Sequence, residues 1–169
     1  VLKLNFGGWI MVNAQSFGGG HTRRKLDVVA KYLAAYVTVM KKQNFRLLYV
    51  DGFAGSGASA SKSSSAVDDP TLFPVSAVVD GSPFRALNVE PPFDKYLFIE
   101  KNRKNVISLN QLCRDFDDRD IEIHQGDANE RLLEFCKEIA VSRLDRAVVF
   151  LDPFGLSVRW ETVVKLAST

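Results

Sequence analysis

Glycine or acidic residues stand at the ends of four short predicted strands. The first is Asp51-Gly52-Phe53-Ala54-Gly55-Ser56-Gly57, directly after the apolar run 45–50. Glycines let the backbone turn tightly and approach a ligand closely, because no side chain intervenes. This loop is therefore predicted to bind a nucleotide-type cofactor, and the alternative is an ordinary tight turn. The residues assigned to the cofactor are Asp51, Phe53, Gly55 and Gly57.

An acidic residue also stands at the end of each of the next two predicted strands. Glu100 closes the second one, where a carboxylate can accept hydrogen bonds from both ribose hydroxyls of a nucleoside. The alternative is an ion pair with Lys101 or Arg103. Asp127 follows the third segment and is assigned to the adenine amino group, although it is equally suited to cap the following helix. One residue can do both.

The fourth apolar segment ends in Leu151-Asp152-Pro153-Phe154-Gly155. A carboxylate beside a proline and an aromatic ring resembles the catalytic tetrapeptide of amino-group methyltransferases. There the acid and a backbone carbonyl hold the target amine, and the ring stacks on its plane. Asp152 and Phe154 are accordingly predicted to be catalytic, and the alternative is an aspartate that stabilises the turn. The sequence departs from that tetrapeptide, since Phe154 replaces its second proline and Gly155 its aromatic residue.

The elements that must position these residues alternate along the chain. Apolar residues recur at helical spacing from Leu26 to Met40, after Thr22 as a candidate N-cap. A short helix begins at Ser82-Pro83. The remaining elements are strand 96–100, helix 103–116, strand 121–124, helix 128–141, strand 147–151 and helix 158–167. Together with the strand 45–50, this alternation predicts an α/β fold with a four-stranded parallel sheet and right-handed crossovers.

The spacing of the segments argues against a cofactor that carries a pyrophosphate. A Ser-rich segment, 58–66, separates Gly57 from the next helix, so no helix N-terminus with its dipole lies at the glycines. Glu100 also lies much further along the chain than the roughly 20 residues of the dinucleotide fingerprint. S-adenosylmethionine has no phosphate. We therefore predict it as the cofactor, bound by a Rossmann-like sheet of the S-adenosylmethionine-dependent methyltransferase type.

At 169 residues the chain is long enough for one compact domain. Residues 1–20 are predicted to be a flexible N-terminal arm. Residues 21–169 are predicted to be a methyltransferase-like α/β domain with a mobile Ser-rich insertion at 58–81. The later strands of such a sheet are missing, so the strand 147–151 is predicted to be an unpaired apolar edge. Either the chain is a fragment or a partner covers that edge.

Charge and cysteine content narrow the choice of partners. A formal net charge of +2 does not by itself imply nucleic-acid binding. The basic residues concentrated between 21 and 46 are predicted to form a solvated helix face, with an anionic partner as the alternative. Cys113 and Cys136 stand apart, without Cys or His at metal-ligand spacing, which predicts no metal site and suits a reducing, cytoplasmic setting. No apolar run predicts a membrane span, and no signal peptide is recognisable.

Seven segments together resemble the bacterial three-Cys-motif partner family. They are 17–22 with Lys25-Leu26, 32–36, 51–57, 90–94, 98–101, 126–129 and 151–155. The resemblance runs from about Phe17 to the C-terminus and is specific in its combination. It implies a methyltransferase-like fold, a longer chain, and a companion protein with a three-cysteine motif of radical S-adenosylmethionine type. This chain has no such motif and would be the partner of that protein.

The leading hypothesis is therefore an S-adenosylmethionine-binding, methyltransferase-like protein that acts with a three-Cys-motif partner on an unknown acceptor. A catalytically inactive, cofactor-binding adaptor for that partner is the first alternative, because the turn at Asp152 departs from the catalytic pattern. A nucleic-acid amino-methyltransferase is the second alternative, suggested by the basic first helix.

Overall fold

The computed structural model describes residues 19–60, 78–153 and 155–169, without the side chains of 19–23, 58–60 and 78–80. From residue 82 onward, helices and strands alternate. The strands are β1 (Arg46–Asp51), β2 (Ala58–Ala60), β3 (Val78–Asp80), β4 (Lys95–Glu100), β5 (Ile121–Gln125) and β6 (Asp145–Phe150). The helices are α1 (Gly19–Met40), α2 (Ser82–Leu87), α3 (Arg103–Cys113), α4 (Ala128–Ile139) and α5 (Trp160–Ala167).

Four of the strands form one parallel sheet in the order β5-β4-β1-β6, which confirms the predicted four-stranded parallel sheet. Asp51, the last residue of β1, is in register with Phe98 of β4 on one side and Phe150 of β6 on the other. The chain thus moves outward from β1 to β5 and then returns to the opposite side of β1. In open α/β sheets, ligands bind outside the carboxyl ends of the strands at such a reversal.

Helices cover both faces of the sheet, because strands that are apolar on both sides must be buried on both. One face packs against α1, α2 and α3, and the other against α4 and α5. The first cluster includes Leu33, Val37, Tyr49, Leu87 and Leu109, and the second includes Val50, Ile99, Leu132, Phe135 and Leu166. The strand ends are therefore fixed relative to one another by packing from two sides.

Two features differ from the sequence-based predictions. α1 begins at Gly19, so Thr22 lies inside the helix and the prediction that it caps the helix is wrong. The first four N–H groups of any helix lack a hydrogen-bond partner within the helix. Beginning the helix at glycines therefore costs no additional backbone hydrogen bond. β2 and β3, at the two ends of the Ser-rich insertion, pair in antiparallel fashion, which the pattern did not predict. Residues 1–18 and 61–77 lie outside the described residues, so the flexible arm and the mobile insertion stay predictions.

The helix α1 spans 22 residues, but its apolar side chains are interrupted by charges. None of the helices in the described segments combines the length and the apolarity that crossing a bilayer requires.

The two outer strands of the sheet, β5 and β6, differ in the polarity of their side chains. Glu122 and His124 of β5 lie 3.5 Å apart, and Glu122 also pairs with Lys95 of β4 at 2.7 Å. Charged side chains on an edge strand discourage pairing with another chain. On β6, by contrast, the side chains from Ala147 to Phe150 are at most 6 % exposed, and no described strand pairs with its outer side. The predicted apolar edge is thus present in the described chain.

Candidate functional site

The glycine loop after β1 is bound to both neighbouring strands. The Gly52 N–H donates to the carbonyl oxygen of Phe150 at 3.0 Å, and the Ala54 N–H donates to the carbonyl oxygen of Ile99, also at 3.0 Å. These bonds reach the last residue of β6 and the penultimate residue of β4. The loop therefore lies across the carboxyl ends of the three adjacent strands β6, β1 and β4, where three of the predicted acidic positions, Asp51, Glu100 and Asp152, also lie.

Asp51 is completely buried beneath this loop. Its Oδ1 accepts from the Phe53 N–H at 3.0 Å, while its Oδ2 has no hydrogen-bond partner of ordinary geometry in the described chain. The pKa of Asp51 is raised to about 6, mainly by burial. The Ser82 hydroxyl and the Phe53 N–H lower it, and the charges of Asp152 and Glu100 contribute to raising it. The structure thus brings three predicted site residues, Asp51, Glu100 and Asp152, into one electrostatically coupled acidic cluster.

Two glycines of the loop serve different purposes. Gly55 has φ +63°, and a Cβ there would meet no atom of the described residues within 4 Å. Gly57 has φ +78°, and a Cβ there would lie 2.5 Å from Cδ2 of Leu112 and 3.2 Å from Cδ1 of Leu109, both on α3. The sequence predicted both for cofactor approach. For Gly57 the close neighbour is α3, whereas Gly55 leaves room for a ligand.

Phe53, the remaining cofactor residue predicted in the loop, has its ring partly buried against the core beneath α4 and α5. Its backbone N–H, not its side chain, is the group that contacts the acidic cluster through Asp51.

Glu100 and Asp127 lie side by side at the next strand ends, because the Gly126 N–H donates to the Glu100 carbonyl oxygen at 3.1 Å. One carboxylate oxygen of Glu100, Oε1, accepts from the Asn102 N–H at 2.6 Å. The alternative ion pair with Lys101 or Arg103 is absent from the described chain, and Lys101 instead lies 3.5 Å from Oδ2 of Asp127. Glu100 therefore keeps Oε2 for another donor.

Asp127 caps α4, as one of its two predicted roles required. Its Oδ1 accepts from the Asn129 N–H at 3.0 Å, and these hydrogen bonds with Asn129, together with Lys101, hold the pKa of Asp127 below its usual range. Because the cap occupies Oδ1, only Oδ2, near Lys101, remains to contact a ligand.

Asn129 is a buried residue to which the sequence assigned no role. Its amide nitrogen donates to Oδ1 of Asp127 at 3.2 Å and to the Ser157 carbonyl oxygen at 2.9 Å. Its oxygen accepts from the Arg159 N–H at 2.8 Å and from the Thr162 hydroxyl at 2.9 Å. One side chain thus ties the cap of α4 to the loop that carries Asp152 and to the start of α5. The signal in the sequence for this role was an amide side chain two residues after the predicted helix cap, Asp127.

Replacing Asn129 with alanine is expected to lower the free energy of unfolding by about 2 kcal/mol, since the buried Thr162 hydroxyl loses its partner. Denaturant unfolding followed by circular dichroism measures this. The control is Asn110→Ala, because Asn110 is exposed and bonds only within its own helix, to the Val106 carbonyl oxygen. Equal losses in the two variants would contradict the structural role of Asn129.

Asp152 follows β6 and forms an ion pair with Lys25 of α1. Their side chains are 32 % and 15 % exposed, respectively, so the pair lies at the rim of the acidic cluster and not in open solvent. The prediction of a solvated basic face on α1 is therefore wrong for Lys25. Lys41, just after the end of α1, is exposed and pairs with Asp94. The only signal in the sequence for the contact between Lys25 and Asp152 was a basic residue one helical turn before a residue of the predicted buried face. Phe154, the second predicted catalytic residue, lies outside the described residues.

Comparison with known proteins gives a match at the level of the fold. No protein-family model and no curated protein matches the chain. Among solved structures it resembles protein LPL1258 from Legionella pneumophila str. Philadelphia 1, of the family DUF519, with a TM-score of 0.57 and 16% sequence identity. The match covers 87% of this chain and 61% of the other, so the chain spans about three fifths of that protein's length. The two share an α/β architecture.

Proposed function

We propose that this chain is a methyltransferase-like protein that binds S-adenosylmethionine at the carboxyl ends of β1, β4 and β5. The observation that carries the proposal is Asp51, whose buried Oδ2 makes no hydrogen bond of ordinary geometry in the described chain, although the hydroxyls of Tyr49 and Ser82 lie near the carboxyl group. Such an oxygen costs free energy unless a ligand or a water donates to it. S-adenosylmethionine has an ammonium group and a sulfonium, which supply a donor and the positive charge that an acidic cluster favours.

The neighbouring residues suit the rest of that molecule. Oε2 of Glu100 is available to accept from the ribose hydroxyls, and Oδ2 of Asp127 from the adenine amino group. Gly55 leaves the backbone accessible, since no described atom lies within 4 Å of the position that a Cβ would take. These assignments place the adenosine along β4 and β5 and the methionine part over β1.

Methyl transfer makes modest chemical demands on the protein. The acceptor's lone pair attacks the methyl carbon, the carbon–sulfur bond breaks, and S-adenosylhomocysteine leaves while the acceptor nitrogen loses a proton. The protein contributes mainly by aligning the two reactants. Asp152, the member of the acidic cluster at the end of β6, is positioned to hold an amine by accepting its hydrogen bond, and Phe154 follows it in sequence.

Calorimetric titration with S-adenosylmethionine tests the cofactor assignment. Glu100→Ala is expected to weaken binding about tenfold, which corresponds to one lost hydrogen bond to a charged acceptor. Glu122→Ala is the matched control, because Glu122 is a glutamate on the neighbouring strand that pairs with Lys95 and His124 away from the loop. Absence of binding by the unmodified protein, or equal losses in both variants, would refute the assignment.

The proposed partner, a radical S-adenosylmethionine protein with a three-cysteine motif, rests on the family resemblance. The chain's own thiols are poorly suited to hold a metal cluster, since burial raises the pKa of Cys113 to about 11 and also raises that of Cys136. In the described segments no three Cys, His, Asp or Glu side chains are grouped to bind a metal. An iron–sulfur cluster that co-purifies with this chain would therefore belong to its companion.

A catalytically inactive adaptor is the second candidate, and one observation favours it. Gly155 has φ +68°, a conformation that glycine adopts easily and that an aromatic residue avoids. The turn after Asp152 is thus shaped for glycine at the place where the catalytic tetrapeptide carries its ring. Binding of S-adenosylmethionine without methyl transfer to any protein, nucleic acid or companion would select this candidate.

A further inference from the structure

The ion pair between Lys25 and Asp152 joins two distant parts of the chain. Lys25 lies near the start of α1, which precedes β1, and Asp152 follows β6 at the opposite end of the described sequence. The ammonium contacts Oδ2 of Asp152, and Oδ1 accepts no hydrogen bond from the described chain. A positive charge is thus already in place beside the carboxylate that would hold the methyl acceptor.

We propose that Lys25 limits the methyl acceptor to a neutral amino group, such as that of a nucleobase or a carboxamide, and excludes protonated alkylamines. This inference rests on the proposed function. A neutral amino group can donate an N–H to Oδ1 of Asp152 while Lys25 holds Oδ2. A protonated alkylamine would have to share the same carboxylate with an existing ammonium.

The repulsion between Lys25 and a protonated acceptor is large enough to discriminate between neutral and protonated amino groups. At about 4 Å and an effective dielectric near 20, their interaction corresponds to more than a hundredfold in binding, and solvent at this rim reduces it to roughly tenfold. Bound S-adenosylmethionine adds a second positive centre, since its sulfonium faces the acceptor. The acidic residues Asp51 and Glu100 do not offset this, because in the proposed complex they are engaged by the cofactor.

The protonation state of an alkylamine also disfavours it as a methyl acceptor. An alkylamine has a pKa of about 10 and carries its proton on the lone pair that must attack the methyl group. A carboxylate that was free of Lys25 would stabilise that protonated form by pairing with it. With Lys25 in place, the pairing position is taken, and the site offers a cation neither charge compensation nor a base. Lys25 is therefore a specificity-determining residue that acts through Asp152.

The test compares two small acceptors on protein saturated with S-adenosylhomocysteine. Cytidine has a neutral amino group, and Nα-acetyl-lysinamide has a single ammonium. Titrations are followed by NMR at the side-chain carboxyl carbon of Asp152. Cytidine is expected to bind about tenfold more tightly than the lysine derivative. In Lys25→Met this preference should vanish or invert, and in Lys25→Arg it should persist. Lys31→Met, on an exposed position of the same helix, should leave it unchanged.

Each outcome separates this inference from the proposed function. If S-adenosylhomocysteine does not bind, the proposed function fails. If it binds but neither acceptor does, or both bind equally to the unmodified protein, the role of Lys25 is refuted while the cofactor assignment stands. A preference that survives in Lys25→Met also refutes it. Transfer of a radiolabelled methyl group to the lysine derivative by the unmodified protein would be the most direct contradiction.

Discussion

Replacing Asp51 with asparagine is expected to stabilise the protein at pH 8 and to weaken its binding of S-adenosylmethionine. Burial raises the pKa of Asp51 from 3.8 to about 6, so the folded state holds a charged carboxylate at pH 8 at a cost of about 3 kcal/mol. Asparagine removes that cost. Its oxygen can still accept from the Phe53 N–H, and the nearby hydroxyls of Tyr49 and Ser82 can accept from its amide.

Proton linkage gives the direction in which the contribution of Asp51 to stability changes with pH. Because the folded pKa is raised, the folded state binds more protons than the unfolded state between about pH 4 and pH 6. The contribution of Asp51 to stability is therefore fully present below pH 4 and is lost as the pH rises through 6. The stability gained by Asp51→Asn should be largest near pH 8 and should vanish near pH 4. Chemical denaturation at several pH values measures it.

Binding should change in the opposite direction. The variant loses a charge-assisted hydrogen bond, which is worth roughly 10- to 100-fold in affinity. Asp94→Asn is the matched control, because Asp94 accepts from the Leu47 N–H at 2.7 Å and pairs with Lys41 at the start of β1, away from the glycine loop. That variant should lose stability and keep its affinity. An Asp51→Asn variant that is less stable at pH 8 and binds normally would contradict both roles of Asp51.

Replacing Gly57 with alanine should lower the free energy of unfolding by about 3 kcal/mol, from backbone strain and overpacking together. Its φ is +78°, and the new methyl group would displace the side chain of Leu112. Gly55→Ala is the control, since Gly55 has a similar φ of +63° but open space around it. That variant should lose only about 1 kcal/mol, from backbone strain alone.

A double-mutant cycle separates strain from crowding at Gly57. Leu112→Ala removes the side chain that the new methyl group would meet, so the double variant should be more stable than the sum of the single losses predicts by about 1 kcal/mol. Thermal and denaturant unfolding of the four proteins provide the values. Equal losses for Gly57→Ala and Gly55→Ala, or strictly additive losses in the cycle, would show that α3 does not constrain the loop.

Much of the fold follows from local patterns in the sequence. The segments that end in glycine or acidic residues locate β1, β4, β5 and β6 within one or two residues. β1, β4 and β6 are largely apolar because they are buried on both faces, whereas β5 is an alternating edge strand. The pair β2–β3 escaped prediction because each strand has three residues in a Ser-rich stretch. So short a ladder depends on tertiary contacts more than on β-propensity.

For the site, the sequence located the acidic positions but not their connections. A residue at a strand end can be placed on the carboxyl edge from the order of elements, and Asp51, Glu100 and Asp127 are all found there. The contact between Lys25 and Asp152 spans 127 residues, and the role of Asn129 depends on a loop that returns from β6. Contacts of this kind depend on helix orientation, which periodicity does not specify.

The difference between the charged edge strand β5 and the apolar edge strand β6 has a practical consequence for the solubility of this polypeptide. At high concentration, molecules should associate through the outer side of β6, with which no strand of the described segments pairs, and not through the charged outer side of β5. A lysine introduced at Val148 would sit among buried neighbours and damage the interior, since that side chain is only 5 % exposed. Leu144, at the entrance to the strand and 55 % exposed, is the better place for a charge that keeps the molecules apart.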